Sequence, residues 1–428
     1  MRCLHIIQRY WPARGGSEKF IVEISERLAA DGHQVTVFTT DAIDIQHFWL
    51  GGKERIDRPT ETRNGVEVHR FNVRRLPKHA RALKVLEKVP GLMPKSVFSF
   101  PSPLVPGMLR QIRAVEEFDI VHATALPYDS ILYTGYSIAR RQGIPLVLSP
   151  FFHLGESGSD EVSRFYTRPH QMRLVQSADR VLVQTDIERD FLLESGFPTD
   201  RTLLLGMGIN PDELAGGRGD RFREKYGVLG PIICYIGPKT YDKGTFDLVR
   251  AMEILWRGGD PSSLVLAGSD IEDFQRFHRE LPEKIRSKCL TLDFIPEEDK
   301  LDLLDACELL VLPSRSDSFG IVFLEAWFYG KPVVGARAGG IPGLVRDGVD
   351  GLLVPFGDRK ELALSIRKLL FDREYARELG LAGRKRALSE FTWDEKYETV
   401  KRLYLELTGG AVPDAPVTGN GGGETPPA

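Results

Sequence analysis

Short apolar runs alternate along the whole chain with longer stretches in which apolar residues return every third or fourth position. That alternation constrains the fold more than any other feature. A strand followed by an amphipathic helix buries both elements most simply as a βα unit around a parallel sheet. A first series of candidate strands covers residues 3–7, 35–39, 66–71, 120–123, 146–149, 181–184 and 202–205. A second covers 232–236, 264–267, 290–294, 309–312, 333–335 and 352–354. Between them the Gly-rich, charged segment GMGINPDELAGGRGDRF reads as a hinge. The expected class is α/β, with two Rossmann-like, doubly wound parallel-sheet domains facing each other across a cleft. The expected divisions are 1–205, the hinge 206–228, a second domain 229–390, a helix 391–408 returning to the first domain, and a disordered Gly/Pro-rich tail 409–428.

A chain of 428 residues exceeds one ordinary core and suits two. Its 57 basic and 60 acidic residues nearly cancel, so charge gives no sign of nucleic-acid binding. Four cysteines without a CxxC pair suggest buried thiols in a reducing compartment. The apolar run at the N-terminus is too short for a signal peptide, and no stretch approaches the ~20 apolar residues of a membrane span. A cytoplasmic location is therefore expected. Metal binding is not expected, because no Asp-x-Asp occurs and the histidines lack ligand spacing.

Motifs sit where strands end. After the first strand, Gly15-Gly16 precedes a helix expected to start near Ser17, with Phe20, Ile24 and Leu28 as its buried stripe. The pair fits a phosphate seat at a helix start, or a plain strand-to-helix turn. In CYIGPKTYDKGTF, Gly237 ends a strand, and Lys239 and Lys243 lie in the following loop. They suit a developing diphosphate charge, or are solvated loop lysines. In SRSDSFGIVFLEAW, Asp317 is expected in a loop and Glu325 on a helix starting near Phe319, with Gly320 at its first turn. Carboxylates accept paired hydrogen bonds from vicinal hydroxyls, which makes sugar and ribose natural partners; an N-cap and a surface acid are the plain alternative. Gly339-Gly340 suits close backbone approach to a ligand, or a loop. His122 and His153 each stand at the end of a first-half strand; either would face the cleft or serve the core.

Taken together, these stretches resemble the retaining glycosyltransferases of family 4, which have the GT-B fold. The resemblance runs from about residue 2 to 407 and is carried by GGSE, SADRVLVQTDIERDFL, LVLPSRSDSFGIVFLEAWFYGKPVV and GGIPGLVRDGVDGLLVPFGD. It implies that Gly16 gives its amide to the donor phosphate and Lys243 pairs with the diphosphate. Asp317 would hold the transferred sugar, Glu325 the ribose hydroxyls, and His153 would stand near the reacting sugar. Gly320 and Ile321 would offer helix-start amides. The catalytic candidates are thus His153, Lys243 and Asp317. The donor-binding candidates are Gly15, Gly16, Gly237, Lys239, Lys243, Asp317, Phe319, Gly320, Ile321 and Glu325. Three positions depart from the family pattern: Pro238 for an arginine, Asp317 for a glutamate, and Gly343 for a glutamate. Lys239 or Arg315 is the candidate substitute for the missing arginine.

The activity so implied is retaining transfer of a sugar from a UDP- or GDP-sugar to a lipid-linked, glycan or small-molecule acceptor, with no cofactor and no metal. The alternatives are an epimerase or hydrolase acting on nucleotide-sugars, and a binding protein whose catalysis is impaired. Residues 69–100 are basic with interleaved apolar positions. They fit either peripheral contact with an anionic inner membrane face or a solvated helix closing the acceptor cleft.

Overall fold

Valine, isoleucine and leucine dominate the short runs, and side chains that are apolar on both faces of a strand need helices on both faces of the sheet. The computed structural model, which describes residues 1–48, 54–75, 103–159 and 161–411, meets that need with two sheets. The first contains β1 (Arg2–Ile6), β2 (Gln34–Thr40), β3 (Thr60–Arg63), β4 (Val66–Phe71), β5 (Ile120–Thr124), β6 (Leu146–Ser149), β7 (Arg180–Val183) and β8 (Thr202–Leu204). Their spatial order is β3-β4-β2-β1-β5-β6-β7-β8, parallel except for the β3–β4 pair. The second contains β9 (Ile232–Ile236), β10 (Ser263–Ala267), β11 (Cys289–Leu292), β12 (Leu309–Leu312), β13 (Val333–Ala336) and β14 (Leu352–Val354). Its order is β11-β10-β9-β12-β13-β14, all parallel. Both orders run outward from a reversal point, as in doubly wound sheets.

The edge strand β3 was not among the expected strands. Its residues, TETR, are polar and half exposed, so no apolar run marks it. The turn does: Asn64-Gly65, both at positive φ, joins β3 to β4 with Arg63 opposite Val66. The segment expected as a hinge is also more ordered than a linker. Pro211–Leu214 and Gly219–Tyr226 are helical, and the second docks on the helix Glu297–Ala306 through Lys225 and Asp299 at 2.7 Å and through Arg221 and Asp302. The crossing itself narrows to Ile209, whose N–H donates to Phe391 O at 2.8 Å and whose carbonyl accepts from Trp393 N at 3.0 Å.

Beyond that crossing, the helix Trp393–Thr408 packs on the first lobe's helix Gly16–Ala30. Its apolar stripe is closed by a buried polar chain. The Tyr404 hydroxyl lies 2.5 Å from His122 Nδ1 and 3.2 Å from His5 Nε2, while His122 Nε2 reaches Ser149 Oγ at 2.9 Å and His5 Nδ1 reaches Ser25 Oγ at 2.7 Å. His122 therefore serves the core and not the cleft. Burial holds His5 down to about 3 and His122 well below its ordinary value. The expected basic stretch also begins differently. Residues 69–71 end β4, and Arg70 is buried against Glu61 and Trp11 O. Residues 76–100 of that stretch, and the tail from 412 onward, lie outside the described residues.

Candidate active site

In doubly wound sheets a ligand crevice opens at the carboxyl ends of strands where the order reverses. Those points here are β1/β5 in the first sheet and β9/β12 in the second. The loops leaving β9 and β12 carry Lys243 and Asp317. Lys243 Nζ donates to Asp317 Oδ1 at 2.8 Å, with the two side chains 19% and 20% exposed. Burial opposes the Asp317 charge, but the Lys243 ammonium more than offsets it and holds the carboxyl below its usual range. The other oxygen, Asp317 Oδ2, is buried without a protein partner.

The facing lobe contributes His153. Phe151, at φ 52, turns the chain sharply after β6, and two residues later His153 Nδ1 bonds to Ser316 O beside Asp317. A carbonyl only accepts, so this bond puts the proton on Nδ1 and leaves Nε2 as the acceptor. The ring also stacks on Tyr166 with centroids 4.6 Å apart. Burial, reinforced by nearby Lys243, pushes His153 down to about 4, so it is a neutral imidazole at pH 7.

Glycines shape the rest. Gly320, at φ 87, caps the helix Ile321–Phe328; a Cβ there would lie 2.8 Å from the Phe323 ring. The first-turn amides at Gly320 and Ile321 are the ones a helix ladder leaves over. Gly339-Gly340 approaches not a ligand but its own chain: Gly340 N donates to Asp317 O at 2.7 Å, and Gly339 N crosses to Gly155 O at 2.7 Å. That turn buttresses the Asp317 loop. On the first lobe the helix begins at Gly16 with Gly15 as its cap, so Ser17 is not the N-cap; its hydroxyl bonds Glu18 Oε2 at 3.0 Å. Glu18 in turn holds Arg9 at 2.7 Å and leans on Gly15, whereas Gly16 faces open space.

Several expected donor contacts are placed elsewhere. Lys239 is fully buried, its ammonium taken by Asp270 at 2.7 Å, Leu292 O at 2.7 Å and Gly268 O. Its two hydrogen bonds go to those carbonyls, and the Asp270 carboxylate balances its charge. Gly237 N donates to Ala267 O at 2.8 Å, and its carbonyl packs on Gly268. The Phe319 ring is buried against Phe391, 5.8 Å between centroids, at the lobe junction. Glu325 stands on the expected helix and accepts from Lys300 Nζ at 2.9 Å, a partner that no motif marked. Arg315 is engaged by Asp242, Glu156 and Glu161. At the third departure, a Cβ on Gly343 would lie 2.7 Å from Thr185 Cβ, so the lobes touch where a longer side chain would need room. Among the described residues no group of His, Cys, Asp and Glu is gathered to hold a metal.

Two doubly wound parallel-sheet lobes, with the loop after β6 of the first set against the switch-point loops of the second, have the GT-B arrangement. Solved structures share the fold, two of them as follows. Anabaena HepE in complex with UDP and glucose matches with TM-score 0.71 at 20% identity, over 94% of this chain and 99% of that one. Sucrose-phosphate synthase from Thermosynechococcus elongatus matches with TM-score 0.73 at 21% identity, over 96% and 100%. By sequence, residues 15–208 match the Glycosyl transferase 4-like domain, and residues 220–386 match Glycosyl transferases group 1. D-inositol 3-phosphate glycosyltransferase 1 of Catenulispora acidiphila is 26% identical over 424 residues, 91% of this chain and 90% of that relative. The chain belongs to glycosyltransferase family 4.

Proposed function

We propose that the protein is a retaining glycosyltransferase that moves a sugar from a UDP- or GDP-sugar to a lipid-linked, glycan or small-molecule acceptor without a metal ion. One observation carries this reading: Lys243 and Asp317 share a salt bridge at the switch point of the second sheet, directly opposite neutral His153. A diphosphate arriving there replaces Asp317 as the partner of Lys243. The negative charge that grows on the leaving group then meets Lys243 and the Gly320 and Ile321 amides. Asp317, released, accepts from hydroxyls of the transferred sugar. Glu325, steadied by Lys300, accepts from the ribose hydroxyls, and the Gly16 amide turns to the donor phosphate. His153 stands over the reacting sugar as an uncharged hydrogen-bonding group. Contact between the lobes excludes water and limits loss of donor to hydrolysis.

The likeness to HepE in complex with UDP and glucose favours a UDP-hexose as the first donor to test. The Catenulispora relative, an inositol 3-phosphate glycosyltransferase by name, makes inositol 3-phosphate a first acceptor. The matched families are transferases, which favours transfer over the epimerase, hydrolase and binding-protein alternatives. We place the reaction on the cytoplasmic side, with the part of the basic stretch 69–100 that follows β4 as the contact to an anionic membrane. No described helix is long and apolar enough to cross one.

A thermal-shift screen against UDP- and GDP-sugars, followed by incubation with the isotope-labelled hit and candidate acceptors, tests the reading. A labelled glycoside in the donor's anomeric configuration is expected. Free or epimerised sugar as the sole product, or a bound and unchanged donor, would refute it.

A further inference from the structure

Arg315 has no role in the scheme above, yet three loops converge on it. Its Nε donates to Asp242 Oδ1 at 2.9 Å, and its Nη1 reaches Glu161 Oε2 at 3.0 Å and Glu156 Oε1 at 3.4 Å across the cleft. Its own N–H donates to Asp242 O at 2.9 Å. The rings of Tyr241 and Phe356 lie 5.4 and 5.2 Å from the guanidinium carbon. Arg315 and two of its partners are near neighbours of site residues. Asp242 precedes Lys243, Arg315 precedes Asp317 by two positions, and Glu156 follows His153 by three. A guanidinium suits this task because its planar fork serves several carboxylates at once, whereas an ammonium is a single compact charge.

Direct contact with the donor fits the geometry poorly. Three carboxylates surround one cation, and a diphosphate brought there would meet surplus negative charge. We propose that Arg315 is a positioning residue: by holding Asp242, Glu156 and Glu161 together it fixes the loops of Lys243, Asp317 and His153 in their transfer arrangement. This rests on the glycosyltransferase reading given above. Displacement of a reacting group by about 1 Å can reduce turnover on the order of a hundredfold, so such a tie acts on kcat.

The test compares the full-length wild type with R315Q, R315K and E156Q/E161Q. Three quantities are read: kcat at saturating donor, the Kd of UDP and of GDP by calorimetry, and amide hydrogen exchange of residues 153–161 and 240–243. In R315Q, kcat is expected to fall roughly 10- to 100-fold. Nucleotide Kd should stay within about twofold, a change of less than ~0.5 kcal/mol. Exchange should quicken in both loops at once. R315K should recover part of the rate, and adding R315Q to E156Q/E161Q should cause little further loss. Unchanged kcat and exchange in R315Q would overturn the proposal. So would a tenfold weaker nucleotide Kd with kcat retained, which would make Arg315 a donor contact. If the wild type transfers from no nucleotide-sugar, the functional reading fails, and the exchange data still decide whether Arg315 ties the loops.

Discussion

In the second lobe both candidate acids are already paired, Asp317 with Lys243 at 2.8 Å and Glu325 with Lys300 at 2.9 Å. The first lobe presents His153, which burial keeps uncharged; His5 and His122 in its core are likewise neutral, whereas the buried His47 and His170 stand beside Asp41 and Asp129. One wall thus holds charge in lysine–acid pairs that an anionic ligand can rearrange without stripping a bare ion of water. The other wall sets neutral His153 beside the reacting sugar, and the Glu156 and Glu161 carboxylates on the same loop are held by Arg315. In the scheme proposed above, the paired lysines of the second lobe meet the leaving group, while neutral His153 of the first lobe and Asp317 of the second share the reacting sugar.

Acid should break this comparison on the first lobe, with the largest effect. His5, His122 and His153 have folded-state values below the unfolded one, so the unfolded chain takes up protons first as pH falls. Their contribution is intact above about pH 6.5 and is lost as pH drops from there toward 4, by up to ~4 kcal/mol per pH unit for three such groups. Asp317, whose value is lowered, stabilises in the same sense but fails only at still lower pH. Urea unfolding at several pH values checks this; a flat profile from about pH 7 to 5 would show these histidines to be accessible to protons.

On the second lobe, Lys243→Ala should lower transfer at saturating donor by roughly 100- to 1000-fold. Since it also strands Asp317, the K243A/D317N variant isolates the stability part: urea unfolding should show that it recovers the stability K243A loses. Smaller again, Glu325→Gln should weaken binding of the nucleoside diphosphate about tenfold, or ~1.4 kcal/mol, by calorimetry. Equal affinity would remove the ribose from Glu325.

The fold was legible because parallel strands buried on both faces write themselves as apolar runs; β4, β6, β9, β12 and β14 begin and end where the runs do. The half-exposed edge strand β3 had no such run to show. Within the site, legibility stopped at side-chain direction. Lys239 and Lys243 share one loop, and nothing local distinguishes the one turned onto the carbonyls of neighbouring strand ends from the one turned to Asp317. Lys300 comes from another helix, so its pairing with Glu325 is a tertiary fact. Gly339-Gly340 was recognisable as a close approach, but sequence could not say that the approaching backbone is that of residues 317 and 318.

The central claim, that Lys243 and helix-start amides receive the departing diphosphate unaided, is tested most directly by following glycosyl transfer from the donor identified by screening, with EDTA and with added magnesium or manganese. The same rate is expected in both conditions. Transfer that stops on chelation and returns with the metal would contradict it.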